Sequence, residues 1–343
     1  MSLQGQVYVV GGVQRAGAHF RDEWRRHRMG RILSLDLATG ACKTCLEYVT
    51  PPEALPEEPD PAILFKAATH QGQELHGCTQ TEIFTWSLPD FSVVRRISLP
   101  AFNDVHHVRL SRGGNYLVAN TGLDMVMEVS TEGEILRLWN VLEESDPLAD
   151  PWGRFSPQKD YRKEITTKPH GSHPNYVFEA QDGEIWATRF EQRDAVCLTS
   201  PGRRIEIALE RPHDGVVRGD KVAFTVVSGH LVIAQTGDGA VLQRHDLQEL
   251  AETDFALGWC RGLHHLDDDL VLVGFSRLRP TKIHQNLRWV GNRLGLRKAP
   301  DQLPTRIALY DLKRQSLVRE WNLEDHGLNV LFSIHPASGG CLS

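Results

Sequence analysis

Histidine is the residue type through which this 343-residue chain is best equipped for chemistry. Of sixteen histidines, seven stand in four groups: His106 with His107, His170 with His173, His213, and His264 with His265. Each group reads as the opening of a strand. Imidazole is the commonest transition-metal ligand, and it also serves as general acid, base or nucleophile. An all-His set suits iron, copper, zinc or manganese better than calcium. His107, His173, His213 and His265 are the expected metal ligands, with His70 as a fifth. His106, His170 and His264 are the expected acid–base groups, and Asp104, Asp214 and Asp267 to Asp269 lie close enough to orient the rings. A His opening a strand also caps turns, so the expectation rests on recurrence along the chain. His19, His27, His230, His245, His284 and His326 fall outside the pattern.

Residues this far apart in sequence meet only if repeated units surround a common axis. The stretch from Asp104 to Val141 shows the unit. A strand carrying His106 and His107 turns at Gly113-Gly114-Asn115 into an apolar strand, 116–120, and strands 125–129 and 135–141 follow. Four short strands with tight turns in about 40 residues form one blade of a β-propeller. A second blade is expected from 63–69, 74–79, 82–88 and 93–99. The fourth uses 176–180, 184–189, 195–198 and 204–209, with Gln181-Asp182-Gly183-Glu184 as a hairpin signal. The fifth has 222–227, 231–235 and 240–244 and a poorly defined outer strand, with a helical turn at 247–251 as the alternative. The sixth has 260–266, 270–275, 306–312 and 317–321. Strands 6–10, 31–37 and 42–49 make a first blade that lacks its innermost strand, and 328–336 is one strand to spare. The expected fold is all-β: a single six-bladed β-propeller over residues 1–343, closed by the C-terminal strand, which removes an open sheet edge.

The insertions 14–30, 50–62, 142–169 and 277–304 join second to third strands or outer to next inner strands, so all four build one face. A rigid scaffold with loops gathered on one face places its site there. Insertions 14–30 and 277–304 carry net charges of +3 and +6 in a chain of net −6. A positive rim draws anions, so a small anionic substrate is expected, with Arg261, Arg277 and Arg279 holding it. Nucleic acid is not expected as a partner. Ile283, Leu287, Val290 and Leu294 have helical spacing, which suits a lid or a membrane-surface contact. The six cysteines form no disulfide framework, and Cys42-Lys43-Thr44-Cys45 lies in a strand where its thiols face opposite ways or bracket a bend. No run of 18 apolar residues and no signal-like leader is present, so the expected location is cytoplasmic.

The third blade, through His106-His107-Val108, Asn115-Tyr116-Leu117-Val118-Ala119-Asn120 and Glu134-Ile135-Leu136-Arg137-Leu138-Trp139, resembles the repeats of arylsulfotransferase-like propellers. It is also similar to NHL and gluconolactonase-like repeats. The first resemblance implies a channel His as nucleophile toward sulfate, assisted by His, Arg and Asn. His107 and Asn120 match that type of position. The gluconolactonase-like metal set is Glu, Asn and Asp, where this chain offers His.

Three functions follow as expectations. The first is a metal-dependent enzyme with a His-lined site at the channel mouth. The second is metal-free group transfer through a nucleophilic His. The third is a non-catalytic propeller that binds a protein or glycan.

Overall fold

The computed structural model describes residues 4–17, 25–142, 155–164, 170–278 and 303–337. They form six four-stranded antiparallel sheets around an axis, the expected propeller. From the axis outward, blade 1 pairs Val330–Pro336, Gln6–Gln14, His27–Asp36 and Cys42–Tyr48. Blade 2 uses Thr69–Gln71, Glu74–Cys78, Ile83–Ser87 and Ser92–Ile97. Blade 3 uses Val105–Leu110, Tyr116–Asn120, Met125–Val129 and Ile135–Asn140. Blade 4 uses Pro174–Glu179, Ile185–Arg189, Asp194–Cys197 and Arg204–Glu206. Blade 5 uses Pro212–Arg218, Lys221–Val226, His230–Gln235 and Val241–Asp246. Blade 6 uses Trp259–His265, Leu270–Ser276, Arg306–Asp311 and Ser316–Asn322.

Each blade buries both faces of its inner strands, so the core is a ring of apolar seams between blades. Tyr8, Ile32, Phe65, Phe84 and Trp86 fill the seam between blades 1 and 2. Val108, Tyr116 and Val118 meet Ile83 and Ile97 in the next. Leu117 and Val126 meet Val177 and Ala187 between blades 3 and 4. Phe178 and Trp186 face Phe224 and Val232, and Leu231 and Ala223 face Val273 and Ala308. The ring closes where Leu272, Ile307 and Leu309 meet Val7, Val9 and Leu35. The closing strand fits because glycine stands opposite it. A Cβ on Gly274 would overlap Leu331 and the Arg261 carbonyl, and one on Gly11 would overlap the Val330 carbonyl.

Two inner strands differ from expectation. In blade 2 the strand expected at 63–69 is confined to Thr69–Gln71, with Ile63 and Ala67 only in isolated bridges. In blade 5 the strand not foreseen is the innermost, Pro212–Arg218, while the outer one, Val241–Asp246, is regular and runs into the turn of helix Leu247–Leu250. Pro212, Asp214 and Gly215 read as a turn, and Asp214 does hold a turn-like φ of 56° within a bulged strand. In blade 6 the inner strand Trp259–His265 agrees with the expected 260–266, but His264 and His265 end it rather than open it.

The described parts of the insertions are stitched together on one face. The Arg15 guanidinium donates to the Pro61 carbonyl at 2.9 Å, the Glu57 N–H to the Lys163 carbonyl at 3.1 Å, and Asn103 Nδ2 to the Tyr161 carbonyl at 2.8 Å. Arg279 and the helical spacing of Ile283, Leu287, Val290 and Leu294 lie outside the described residues. Cys42 packs into the seam with blade 6 and Cys45 into that with blade 2, so the two thiols face opposite sides. Among the described residues no helix is long and apolar enough to cross a membrane.

Leu331→Ala should lower the unfolding free energy by about 2–5 kcal/mol, as expected when a buried leucine leaves a cavity. Urea unfolding measures it, and a loss under 1 kcal/mol would mean that this strand does not hold the ring closed.

Candidate functional site

The inner strands of blades 3 to 6 share a device near their first residues, a β-bulge. His106 is the extra residue between Val105 and His107, and Asn175 the extra residue between Pro174 and Tyr176. Asp214 and Gly215 bulge out after His213, and Arg261 and Gly262 after Cys260. A bulge bends its strand and re-aims one side chain out of the alternation. Asp104, His173 and Asp214 also hold φ of 48°, 60° and 56°, a region that non-glycine residues rarely occupy. Such backbone is stable only where its surroundings over-determine it. For His173 the cause is visible. The Asp124 carboxylate accepts the backbone N–H groups of Gly171, Ser172 and His173 at 2.7, 2.9 and 2.7 Å.

The residues aimed in this way form a ring to which every blade contributes. Lys66 of blade 2 donates from Nζ to Asp104 Oδ1 at 3.0 Å and to His106 Nε2 at 2.9 Å, both on blade 3. His106 Nδ1 lies 2.9 Å from Asn175 Oδ1 of blade 4, whose Nδ2 donates to the Pro212 carbonyl of blade 5. The His106 ring meets the His173 ring edge-on at 4.7 Å, and His173 and His170 share a hydrogen bond between their Nδ1 atoms at 2.8 Å. Phe190 lies 5.0 Å from His173 and 5.1 Å from His213 of blade 5. Phe332 of blade 1 lies under the Arg261 guanidinium of blade 6 at 4.6 Å and under Lys66 at 5.4 Å.

The partners assign the protons. Asn175 uses its amide N–H on Pro212, so its Oδ1 accepts from His106 Nδ1–H. His106 Nε2 is therefore a lone pair, and it accepts from the Lys66 ammonium. Burial, then Lys66, push the His106 pKa down to about 4. Burial and then Arg261 hold His213 well below the ordinary imidazole value, and its buried Nε2 has no hydrogen-bond partner among the described residues. Asp214 is pushed up to about 6 by burial, although Thr225 and the Gly262 N–H both donate to it. The mouth thus sets two cations, Lys66 and Arg261, beside neutral imidazoles.

The expected site residues divide into three sets. His106, His170, His173, His213 and Arg261 come together at the mouth. His70, His264 and His265 sit at the far ends of their inner strands, where His70 and His264 lie in the field of His335. The third set is structural. His107 is fully buried with both nitrogens engaged, Nε2 with Thr69 Oγ1 at 2.8 Å and Nδ1 with the Val177 N–H at 3.3 Å, and its ring stacks on Tyr176. Asn120 is buried and bonded to the backbone of Asn103 and Ala101. Arg277 pairs with Glu324, Nε to Oε1 at 2.8 Å. Among the described residues no three His, Cys, Asp or Glu side chains are grouped to hold a metal ion, so the five expected ligands do not form one shell.

Lys66, Asn175 and Asp124 were not expected. The signal for Lys66 was a single lysine inside the apolar run Ile63-Leu64-Phe65-Lys66-Ala67-Ala68. Asn175 and Asp124 left none, because a single Asn or Asp beside a turn reads as a turn residue.

No protein-family model matches this chain, and no curated protein matches it. Solved structures do. A protein of unknown function from Bacteroides caccae aligns at a TM-score of 0.60 and 12% identity, over 97% of this chain and 98% of that one. A chain of a nidogen/laminin complex aligns at 0.57 and 11%, over 98% and 100%. Virginiamycin B lyase from Staphylococcus aureus aligns at 0.45 and 14%, over 71% and 69%. The two alignments above a TM-score of 0.5, at 11–12% identity, show a likeness of fold alone.

Histidines whose folded pKa lies below the unfolded value of about 6.5 bind fewer protons folded than unfolded, so stability falls as pH drops through that window. His106→Asn should reduce the loss of stability between pH 6.5 and 4 by about 1–3 kcal/mol, read from urea unfolding across pH. An unchanged slope would place His106 in a solvated, ordinary environment.

Proposed function

We propose that the chain is an enzyme that binds a small anionic substrate in the channel mouth and moves a proton within it. The supporting observation is the Lys66–His106 pair, held by Asp104 and Asn175 inside a ring drawn from all six blades. Lys66 and Arg261 hold the anionic group. His106 and His213 handle the proton. Both imidazoles are kept neutral by burial and by the two cations. An anion lying on those cations cancels their repulsion and raises the proton affinity of both rings. The base therefore becomes effective only in the loaded site, and binding takes up a proton.

His213 favours a second reading, group transfer. Its buried Nε2 lacks a partner and lies in the field of Arg261, His106 and Lys66. In that chemistry Nε2 attacks the sulfur of a sulfate ester and the ester oxygen leaves with the bond electrons. An acceptor hydroxyl then gives its proton to a base in the mouth, its oxygen bonds to the sulfur, and the N–S bond breaks to return the electron pair to Nε2. His213, and not His107, is the nucleophile of this reading.

The test is a thermal-shift screen of carboxylates, phosphate monoesters and sulfate esters, followed by turnover assays on the compounds that bind. Lys66→Met and Arg261→Met should each weaken binding at least tenfold. His106→Gln should lower turnover about 100- to 10,000-fold with little effect on binding, the range of general acid–base catalysis. A sulfuryl adduct on His213, seen by mass spectrometry with 4-nitrophenyl sulfate, would select the second reading. Binding that is indifferent to Lys66 and Arg261 would overturn both.

A further inference from the structure

Lys66 is bonded in a way that the grip on an anion does not require. It is the one buried lysine among the described residues. Its side chain keeps 8% of its surface exposed and that of His106 10%, so the pair is enclosed but still touched by solvent. The backbone beneath it is pinned: the Lys66 N–H donates to the Cys78 carbonyl at 2.8 Å and the Ala67 N–H to the His106 carbonyl at 3.0 Å. A charged lysine is a donor alone. Here one N–H goes to a carboxylate, Asp104 Oδ1 at 3.0 Å, and another to a basic lone pair, His106 Nε2 at 2.9 Å. That second bond offers the proton a place to go.

The three groups close a triangle, since Asp104 Oδ1 also lies 3.3 Å from His106 Nε2. A proton passing from Nζ to Nε2 stays against the same carboxylate, so Asp104 stabilises it in both positions. Asn175 Oδ1 accepts His106 Nδ1–H at 2.9 Å and fixes the ring. Amine, base and a third group that orients the base are the parts of an activated nucleophile, and a buried lysine so equipped forms imines with carbonyl compounds. The ring of Phe332 sets the other requirement. Lys66 lies 5.4 Å from its centroid and Arg261 4.6 Å. An anionic group held between the two cations brings the carbon attached to it beside Nζ.

We propose that Lys66 forms an imine with the carbonyl of a 2-oxo acid whose carboxylate rests on Arg261. The inference depends on the mouth being an anion site, and it names the substrate class. The ammonium passes one proton to His106 Nε2. The amine lone pair attacks the carbonyl carbon, and the C=O electron pair moves to oxygen. That oxygen takes a proton from the nitrogen and then the one held by His106. It leaves as water with the C–O bond electrons, while the nitrogen lone pair closes the C=N bond. One ammonium and one carbonyl give one iminium and one water, with no oxidant or reductant. The iminium keeps the positive charge of the lysine, so the carboxylate retains both cations. It also withdraws electrons from the neighbouring C–H and makes that proton mobile.

The probe is pyruvate with sodium cyanoborohydride, incubated with the full chain at pH 7 and read by peptide mass spectrometry. Reduction turns the iminium into a stable secondary amine. The peptide holding Lys66 should gain pyruvate less water plus two hydrogens at least tenfold faster than peptides holding the exposed Lys43, Lys221 and Lys313. Lys66→Arg keeps the charge and cannot form the imine. It should still melt higher with pyruvate, yet lose the exchange of pyruvate methyl hydrogens for deuterium that the wild type shows in D2O. His106→Gln should form the adduct at least tenfold more slowly. The inference is overturned, and the anion site left standing, if pyruvate raises the melting temperature while Lys66 labels no faster than the exposed lysines. Methyl exchange in Lys66→Arg at the wild-type rate would overturn it too. If pyruvate neither binds nor labels, this inference falls, and a failure of all carboxylates takes the mouth reading with it.

Discussion

The whole molecule depends on the closing contact between the last strand and the first. Val330–Pro336 pairs with Gln6–Gln14 and lies against the inner strand of blade 6, so residues more than 300 positions apart complete one sheet. Without it blade 1 has three strands, its seam with blade 6 loses Leu328, Leu331 and Ile334, and the channel has no fixed circumference. The closure is tight enough that glycine is required at Gly11, where the Val330 carbonyl is the neighbour, and at Gly274, where the Leu331 side chain and the Arg261 carbonyl are. Every distance across the mouth is a consequence of that circumference.

Within the ring, the bulges convert a repeating scaffold into a site. A regular inner strand would alternate its side chains between the two neighbouring seams, which is where His107 goes. The extra residue in blades 3 and 4, and the wider bulges in blades 5 and 6, turn His106, Asn175 and Arg261 out of that alternation. The αL residues at Asp104, His173 and Asp214 set the approach, and the Asp124 carboxylate fixes the segment that carries His173.

The two ends of the channel differ in how their charges are met. At the mouth, Lys66 has Asp104 and His106, and Arg261 lies over Phe332. At the far end the Arg109 guanidinium enters no ion pair among the described residues, and the carboxylate of Glu179 is held by Arg112. The basic rim reads differently from its composition, since Arg15, Arg25 and Arg277 are paired with Asp60, Glu58 and Glu324. Net charge of a segment therefore overstates the field it presents, and the cations that count are the buried ones.

Blade number, ring closure and the gathering of insertions on one face were legible in the chain, because strand alternation and turn residues are local and repeat. So was the presence of His106, His173, His213 and Arg261 near the axis. What local pattern could not carry was direction. One extra residue in a strand reverses which way a side chain points, and Pro212-His213-Asp214-Gly215 reads as a turn although it is the bulged start of an inner strand. His264 and His265 close the strand Trp259–His265, which was foreseen within one residue, so their place at the opposite end followed from the strand direction and not from a shifted boundary. The sequence by itself determined that six sheets form and that imidazoles line their common axis. Only the tertiary structure decided which imidazoles share a space, because that depends on bulges and closure, which are set by contacts between blades and not by neighbours in the chain.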